Sequence, residues 1–280
     1  LPHPLPPGDD TAVLLLHGLY SNPNEMSPLG KELEKAGYRV AIPHLQGYTV
    51  CAEDVLDRRF ARSPWEDWYA QVETVFDELR RQHRRVVVGG LCIGADLALH
   101  LAAQRGLQVA AVLALATTLY YDGWGIPWYS FLLPLGYYTP LRHIYTYRER
   151  APFGLKNPRV RARVERDMRE REVSAAGASE LPLNGIYQAQ RLIGSIKKEL
   201  PQVVSPTLVI HSREDDVASL RSPEQVYRRI SAERRRKVVL DDSYHIITLD
   251  NERRRVSGEA LDFLAQVLGA PAAARLPQAA

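Results

Sequence analysis

Two cysteines in 280 residues, Cys51 and Cys92, cannot supply a disulfide framework, and no C-x-x-C pair or histidine cluster offers metal-ligand spacing. This scarcity predicts no metal, no cofactor and a reducing, cytoplasmic setting. No apolar run reaches the ~18 residues that a membrane-spanning helix needs, so no transmembrane segment is expected. Charge of one sign is scarce too. The formal net charge is +3, and arginines are scattered over several helix-like faces rather than gathered beside aromatic motifs, which argues against nucleic acid as a partner. There is no internal repeat. The opening stretch, Leu1 to Asp10, is proline-rich without a basic n-region, and the Ala/Pro-rich 271–280 reads as a flexible tail.

What the sequence does have is 45% hydrophobic residues, ample for a packed core, arranged as short apolar runs alternating with longer helical patterns. That alternation predicts an α/β fold with a mostly parallel sheet flanked by helices. Strands are expected at Ala12–Leu16, Tyr38–Ile42, Arg85–Gly89, Val109–Ala114, Pro206–His211 and Lys237–Leu240. Amphipathic helices are expected at Glu25–Ala36, Pro64–Gln82, Ile93–Gln104, Pro223–Ile230 and Glu252–Val267. The alternation breaks between Leu119 and Leu200. The chain therefore divides into a core of 1–118 and 201–270 and an inserted cap of 119–200. The first half of the cap is too apolar for a solvated loop, and Tyr20, Trp124, Trp128, Tyr129 and Tyr137 are candidates to line an acyl pocket. The same aromatic stretch is a candidate for peripheral contact with a membrane. The run Pro158–Val173 carries Arg159, Arg161, Arg163, Arg166, Arg169 and Arg171 among acids. It reads as a solvated helix face, or as a dock for coenzyme A phosphates or an acyl carrier protein.

The chemistry centres on Gly90-Leu91-Cys92-Ile93-Gly94, between the apolar run Val86-Val87-Val88 and a helix-like segment. It is a G-x-S-x-G nucleophile elbow with cysteine in the serine position. The sharp turn pushes the central side chain out over the sheet, and the flanking glycines let the backbone bend. A thiol nucleophile needs a base, a group that orients the base, and donors for the developing oxyanion. His245, in a polar loop after the last expected strand, is the candidate base. Asp215, after the strand ending at His211, is the candidate orienting carboxylate, with Asp216 its close rival. The order nucleophile, acid, base separates this chain from chymotrypsin-like and subtilisin-like arrangements. The oxyanion donors expected are the backbone N–H groups of Leu19 and Ile93.

Leu14-Leu15-Leu16-His17-Gly18, the elbow, Ser63-Pro64-Trp65-Glu66-Asp67-Trp68, His211 to Asp215 and Ser243-Tyr244-His245-Ile246-Ile247-Thr248-Leu249-Asp250 together resemble the carboxylesterase and monoacylglycerol lipase branch of the α/β-hydrolases. The resemblance implies Cys92, Asp215 and His245 as a triad, and a cap between the sixth and seventh strands of the family's sheet. The chain departs from the family in carrying cysteine where serine is usual, and Gly47-Tyr48 where many members have G-H-G. A cysteine elbow is also similar to that of polyhydroxyalkanoate synthases, which are longer, and of dienelactone hydrolases, which lack a cap. The resemblance implies hydrolysis of an acyl ester or thioester through an acyl-cysteine. The cysteine also fits acyl transfer to an amine or alcohol, and a non-catalytic ligand receptor is the competing class.

Overall fold

The computed structural model describes residues 11–51, 63–171 and 173–269. The Leu1–Asp10 lead and the 271–280 tail lie outside them. The elements in chain order are β1 (Thr11–Leu16), α1 (Ser27–Lys35), β2 (Arg39–Ala41), α2 (Trp65–Gln82), β3 (Arg85–Leu91), α3 (Ile93–Arg105), β4 (Val109–Leu115), α4 (Leu133–Tyr137), β5 (Thr146–Arg148), α5 (Pro158–Arg171), β6 (Val173–Ser174), β7 (Gly177–Ala178), β8 (Glu180–Pro182), α6 (Leu183–Glu199), β9 (Thr207–Ser212), α7 (Arg221–Arg229), β10 (Arg235–Leu240) and α8 (Arg253–Leu268). Six strands form one sheet in the order β10-β9-β4-β3-β1-β2. Every pairing in it is parallel.

Every residue of β1 is buried, as expected of a parallel strand covered on both faces. The two-residue period of the strands divides the core. Leu14, Leu16, Val86 and Val88 face Trp68 and Phe76 of α2, Leu97 and Leu101 of α3, and Leu192 and Ile196 of α6. Val13, Leu15, Val87 and Leu91 face Leu29 and Leu33 of α1 and Phe263 and Leu264 of α8. Helix α2 buries Trp65, Trp68, Val72 and Phe76, a three- and four-residue spacing that keeps one stripe on the sheet. Each large side chain of that stripe contributes about 1.5–3 kcal/mol by leaving water. Helix α3 is buried on all sides from Ile93 to Ala102, as its nearly uniform apolar sequence requires.

The chain runs from β1 out to the edge strand β2 and returns to β3 on the other side of β1. The loops after β1 and β3 therefore leave the sheet side by side at a topological switch point, where open α/β sheets place their crevice. Leu16 lies opposite Gly90 in the register, which brings the ends of the two strands level.

The insertion sits between β4 and β9. It contains the antiparallel pairs β5/β8 and β6/β7 and helices α4 and α5. Its last helix, α6, contributes Ala189, Leu192, Ile193 and Ile196 to the core beside α3, so the end of the 119–200 stretch packs as a layer of the main domain. On α5 only Val164 and Met168 are buried. Its Arg163 and Arg169 pair along the helix with Asp167 and Glu165, as a solvated face does. Hydrogen bonds on both sides hold the insertion over the sheet. Asn22 Nδ2 donates to Ser174 O at 2.7 Å and the Ala178 amide to Tyr20 O at 3.0 Å. On the other side, the Ile246 amide donates to Gly154 O at 2.8 Å and the Gly154 amide to Asp216 Oδ2 at 3.2 Å.

Candidate active site

Cys92 stands between β3 and α3 with φ 57° and ψ −122°, a backbone conformation that L-residues rarely adopt. The strain is held by close packing. A Cβ on Gly90 would fall 2.2 Å from the backbone of Gly94, and one on Gly94 would fall 2.3 Å from His17 O. The Cys92 amide donates to Leu115 O at 3.0 Å, tying the elbow to β4. The thiol thus sits at the N-terminus of a thirteen-residue helix, where negative charge is favoured. Thr118 Oγ1 lies 3.4 Å from Sγ as a hydrogen-bond donor.

The loop after β10 delivers His245 to the same crevice. Its Nδ1–H donates to both carboxylate oxygens of Asp215, at 2.8 Å and 3.0 Å. Asp215 Oδ1 also accepts the amides of Val217 and Ala218 at 2.8 Å, and His211 Nε2 lies 3.2 Å from its Oδ2. Asp216 does different work. Its Oδ1 accepts the His245 amide at 3.2 Å, so it fixes the backbone of the loop while Asp215 fixes the ring. Asp250, at the end of the Ser243–Asp250 motif, accepts the amides of Tyr244, Lys156, Asn157 and Asn251. One buried carboxylate thereby joins the His245 loop to the insertion.

Among the described residues neither the Leu19 nor the Ile93 amide has an acceptor. The loop that carries Leu19 is fixed from below. Tyr48 OH donates to His17 O at 2.7 Å, and the tyrosine ring stacks on His17 at 5.1 Å. His17 Nδ1–H faces Gly18 O at 2.8 Å, so Nε2 accepts from Thr49 Oγ1 at 2.8 Å. Burial pushes His17 down to about 4, which keeps it neutral at physiological pH. Gly47-Tyr48, the departure from the family's G-H-G, therefore supplies a hydroxyl brace for this loop.

Residues 8–252 match the model of the family described as serine aminopeptidase, S33. The chain belongs to this family. It is 28% identical over 257 residues to the thermostable monoacylglycerol lipase of Bacillus sp. (strain H-257), covering 92% of this chain and 91% of the relative. It is 24% identical over 258 residues to the carboxylesterase of Bacillus subtilis (strain 168), covering 92% and 93%. Among solved structures, one of the metagenome-derived lipolytic enzymes LipS and LipT superposes with a TM-score of 0.76 at 23% identity, over 92% of this chain and 95% of that one. A soluble variant of monoglyceride lipase from Saccharomyces cerevisiae gives 0.75 at 14% identity, over 93% and 88%. The fold is that of the α/β-hydrolases, as the sequence resemblance implies.

In this S33-family chain the electrostatics bear on how the elbow works. Burial alone would depress the His245 pKa, but the Asp215 carboxylate and the Cys92 sulfur outweigh it and lift the imidazole well above its ordinary value. His245 Nε2 is buried, with no hydrogen bond of normal geometry to the described residues. Burial opposes ionisation of Asp215, yet His245, His211 and the Ala218 amide hold its carboxyl below the usual range. Further acids surround the pair. Burial, opposed by the Gly18 amide and His245, pushes Glu25 up to about 7. Burial and Asp216, opposed by His245, push Glu149 up to about 7 as well. Asp96, one helical turn into α3 from Cys92, is fully buried and raised by burial and by the Cys92 charge.

Most of the expected pocket aromatics stand elsewhere. Trp128 is 83% exposed and touches its neighbours Tyr129 and Phe131, because this part of the insertion turns its aromatic side outward. Tyr129 is exposed with it. Trp124 is 59% exposed, donates from Nε1 to Glu214 O and packs edge-on against Tyr244, bracing the His245 loop from outside. Tyr20 is fully buried against Trp68 and against Gly185, where a Cβ would overlap its ring. It fills the joint between sheet and insertion. Tyr137 is buried beside Tyr187 at 5.5 Å. Sequence reading missed Tyr121, which lies within electrostatic reach of Cys92, Tyr137 and Glu149. It also missed Glu25, Thr118, Tyr48 and Glu149. Of these, Glu25 opens an expected helix, Tyr48 stands in the Gly47-Tyr48 departure from the family pattern and Glu149 lies in the expected cap, but none was assigned a role.

Proposed function

We propose that this protein hydrolyses acyl esters or thioesters through a covalent acyl-Cys92 intermediate. Cys92 gives its proton to His245 Nε2, and Sγ attacks the acyl carbonyl carbon. The oxyanion that forms is held by the Leu19 and Ile93 amides. As the tetrahedral intermediate collapses, the bond to the leaving oxygen or sulfur breaks and that atom takes the proton from His245. Water then gives a proton to His245 and attacks the thioester. Cys92 departs as the thiolate and is reprotonated by His245, freeing the carboxylic acid. Asp215 keeps Nδ1 protonated and Nε2 aimed at the sulfur throughout.

The observation that supports this reading best is the strained Cys92 at the head of α3 together with an imidazole raised by both Asp215 and the sulfur. A ligand receptor has no use for a raised imidazole beside a half-buried thiol on a strained elbow. The relatives named as a monoacylglycerol lipase and a carboxylesterase favour an aliphatic acyl group. Intact-protein mass after brief incubation with acyl esters, acyl-coenzyme A and acyl-carrier thioesters tests the mechanism. An acyl adduct absent from Cys92→Ala supports it, and turnover without any Cys92 adduct overturns it. Decay of the adduct accelerated only by an added amine or alcohol would make the enzyme an acyltransferase.

The outward aromatic face adds a place of work. Trp128, Phe131, Leu135, Tyr138 and Ile144 are all exposed, and the sequence from Gly123 to Arg148 contains Arg142, His143 and Arg148 but no acid. Aromatic side chains in a stretch that carries cations complement an anionic lipid surface. No helix among the described residues is long and apolar enough to cross a membrane. The contact we assign is peripheral, with the insertion resting on the lipid that carries the substrate.

A further inference from the structure

Glu25 is a carboxylate in a place where an acyl-transfer site has little use for one. It lies in the turn that precedes α1, only 3% exposed, and its Oε2 accepts the Gly18 amide at 2.5 Å. Gly18 adjoins Leu19 in the loop after β1. The position a Gly18 Cβ would occupy is 3.3 Å and 3.5 Å from the two Glu25 carboxylate oxygens and 3.5 Å from Cys92 Cβ, so the acid and the elbow both border Gly18. From the insertion-facing side, His245 is within electrostatic reach of it. We propose that Glu25 is a positioning residue for the Cys92–His245 pair, tying down the Leu19 loop through Gly18 and placing a negative charge where it favours the protonated imidazole.

This inference rests on the acyl-cysteine reading above. The groups that act on Glu25 or border it through Gly18 are Gly18 and Ser21 from the loop after β1, Tyr48 from the loop after β2, Cys92 at the head of α3 and His245 from the loop after β10, with His17 next to Gly18 in the chain. Of these His17 is neutral, and Tyr48 is held protonated by burial. The balance therefore lies between His245, which the charge supports, and Cys92, which it opposes. His245 counts among the groups that act on Glu25, whereas the Cys92 charge counts among those acting on Asp96. Glu25 thus belongs to the imidazole side of the pair. It changes charge near pH 7, so its support for the ion pair switches on above neutrality.

The test is the rate of Cys92 alkylation by iodoacetamide between pH 5 and 9.5 in full-length protein carrying Cys51→Ala, with and without Glu25→Gln. Glutamine keeps an oxygen for the Gly18 amide and removes the charge. The two rates are expected to coincide at pH 5.5, where Glu25 is neutral. They should differ by about 5- to 10-fold near pH 7.5, with Glu25→Gln slower. Glu25→Ala should show the same gap and lose a further factor of about ten in acylation, because the Gly18 amide is untied. Superposed profiles, or a faster Glu25→Gln, overturn the inference. An ordinary thiol profile in the Cys51→Ala parent overturns the acyl-cysteine reading first and this inference with it. Melting temperatures of parent and Glu25→Gln that both stay well above the assay temperature at every pH assign any gap to charge and not to unfolding.

Discussion

His245 Nδ1 faces both oxygens of Asp215, at 2.8 Å and 3.0 Å, on a carboxylate already anchored by two backbone amides and neighboured by His211. This over-determined aspartate fixes the tautomer of the imidazole, and its neighbour Asp216 fixes only the backbone. Asp215→Asn should therefore reduce kcat by about 10³-fold with the fold retained. Asp216→Asn should cost about tenfold or less, since a neutral oxygen can still accept the His245 amide. Steady-state kinetics on an activated ester or thioester compare the two, and equal losses would contradict the division of labour.

Asp250 accepts four backbone amides drawn from the His245 loop and the insertion. Removing it leaves those N–H groups in a closed environment without an acceptor. Asp250→Ala should lower unfolding stability by about 3 kcal/mol. Urea denaturation gives the number, and a change under 1 kcal/mol would mean that water replaces the carboxylate.

The outward aromatics carry no core packing. A triple substitution, Trp128→Ser, Phe131→Ser and Tyr138→Ser, should leave the melting temperature unchanged and abolish co-sedimentation with anionic vesicles. Hydrolysis of a short, water-soluble ester should persist. Binding that survives the triple change would place the lipid contact elsewhere, and no binding by the unaltered protein would remove it.

Glu25 should also mark the pH dependence of stability. Its native pKa, about 7, is raised from the ordinary 4.5, so the folded protein holds a proton that the unfolded chain releases between those values. Stability contributed by this group is present below about pH 4.5 and lost as pH rises towards 7. Over that window the unaltered protein should lose about 3 kcal/mol relative to Glu25→Gln. Parallel stability profiles from pH 4.5 to 8 would show that Glu25 is ionised in the native state throughout.

The expected strands and helices of the main domain match those of the structure to within a few residues, because their signals are local. Val86-Val87-Val88 is buried on both faces, and the stripe Trp65, Trp68, Val72, Phe76 has the period of a helix. The elbow was equally legible, since Gly90 and Gly94 are sterically required by contacts that recur wherever a strand turns sharply into a helix. The aromatic run of the insertion was legible as apolar but not as outward-facing. Its sequence specifies hydrophobic surface, and whether that surface meets protein or solvent depends on neighbours folded from other segments.

The sequence by itself determined the alternating α/β framework, the cysteine in the elbow and the order in which Cys92, Asp215 and His245 occur along the chain. Those features follow from periodicity and turn sterics, which act over a few residues. Only the tertiary structure decided that the Asp215 side chain, rather than that of Asp216, meets the imidazole. It also decided that Tyr20 is filler and that Glu25 reaches Gly18 beside Cys92. Such meetings are set by how loops from distant strands converge at the switch point of the sheet, and no local pattern encodes which side chains arrive there together.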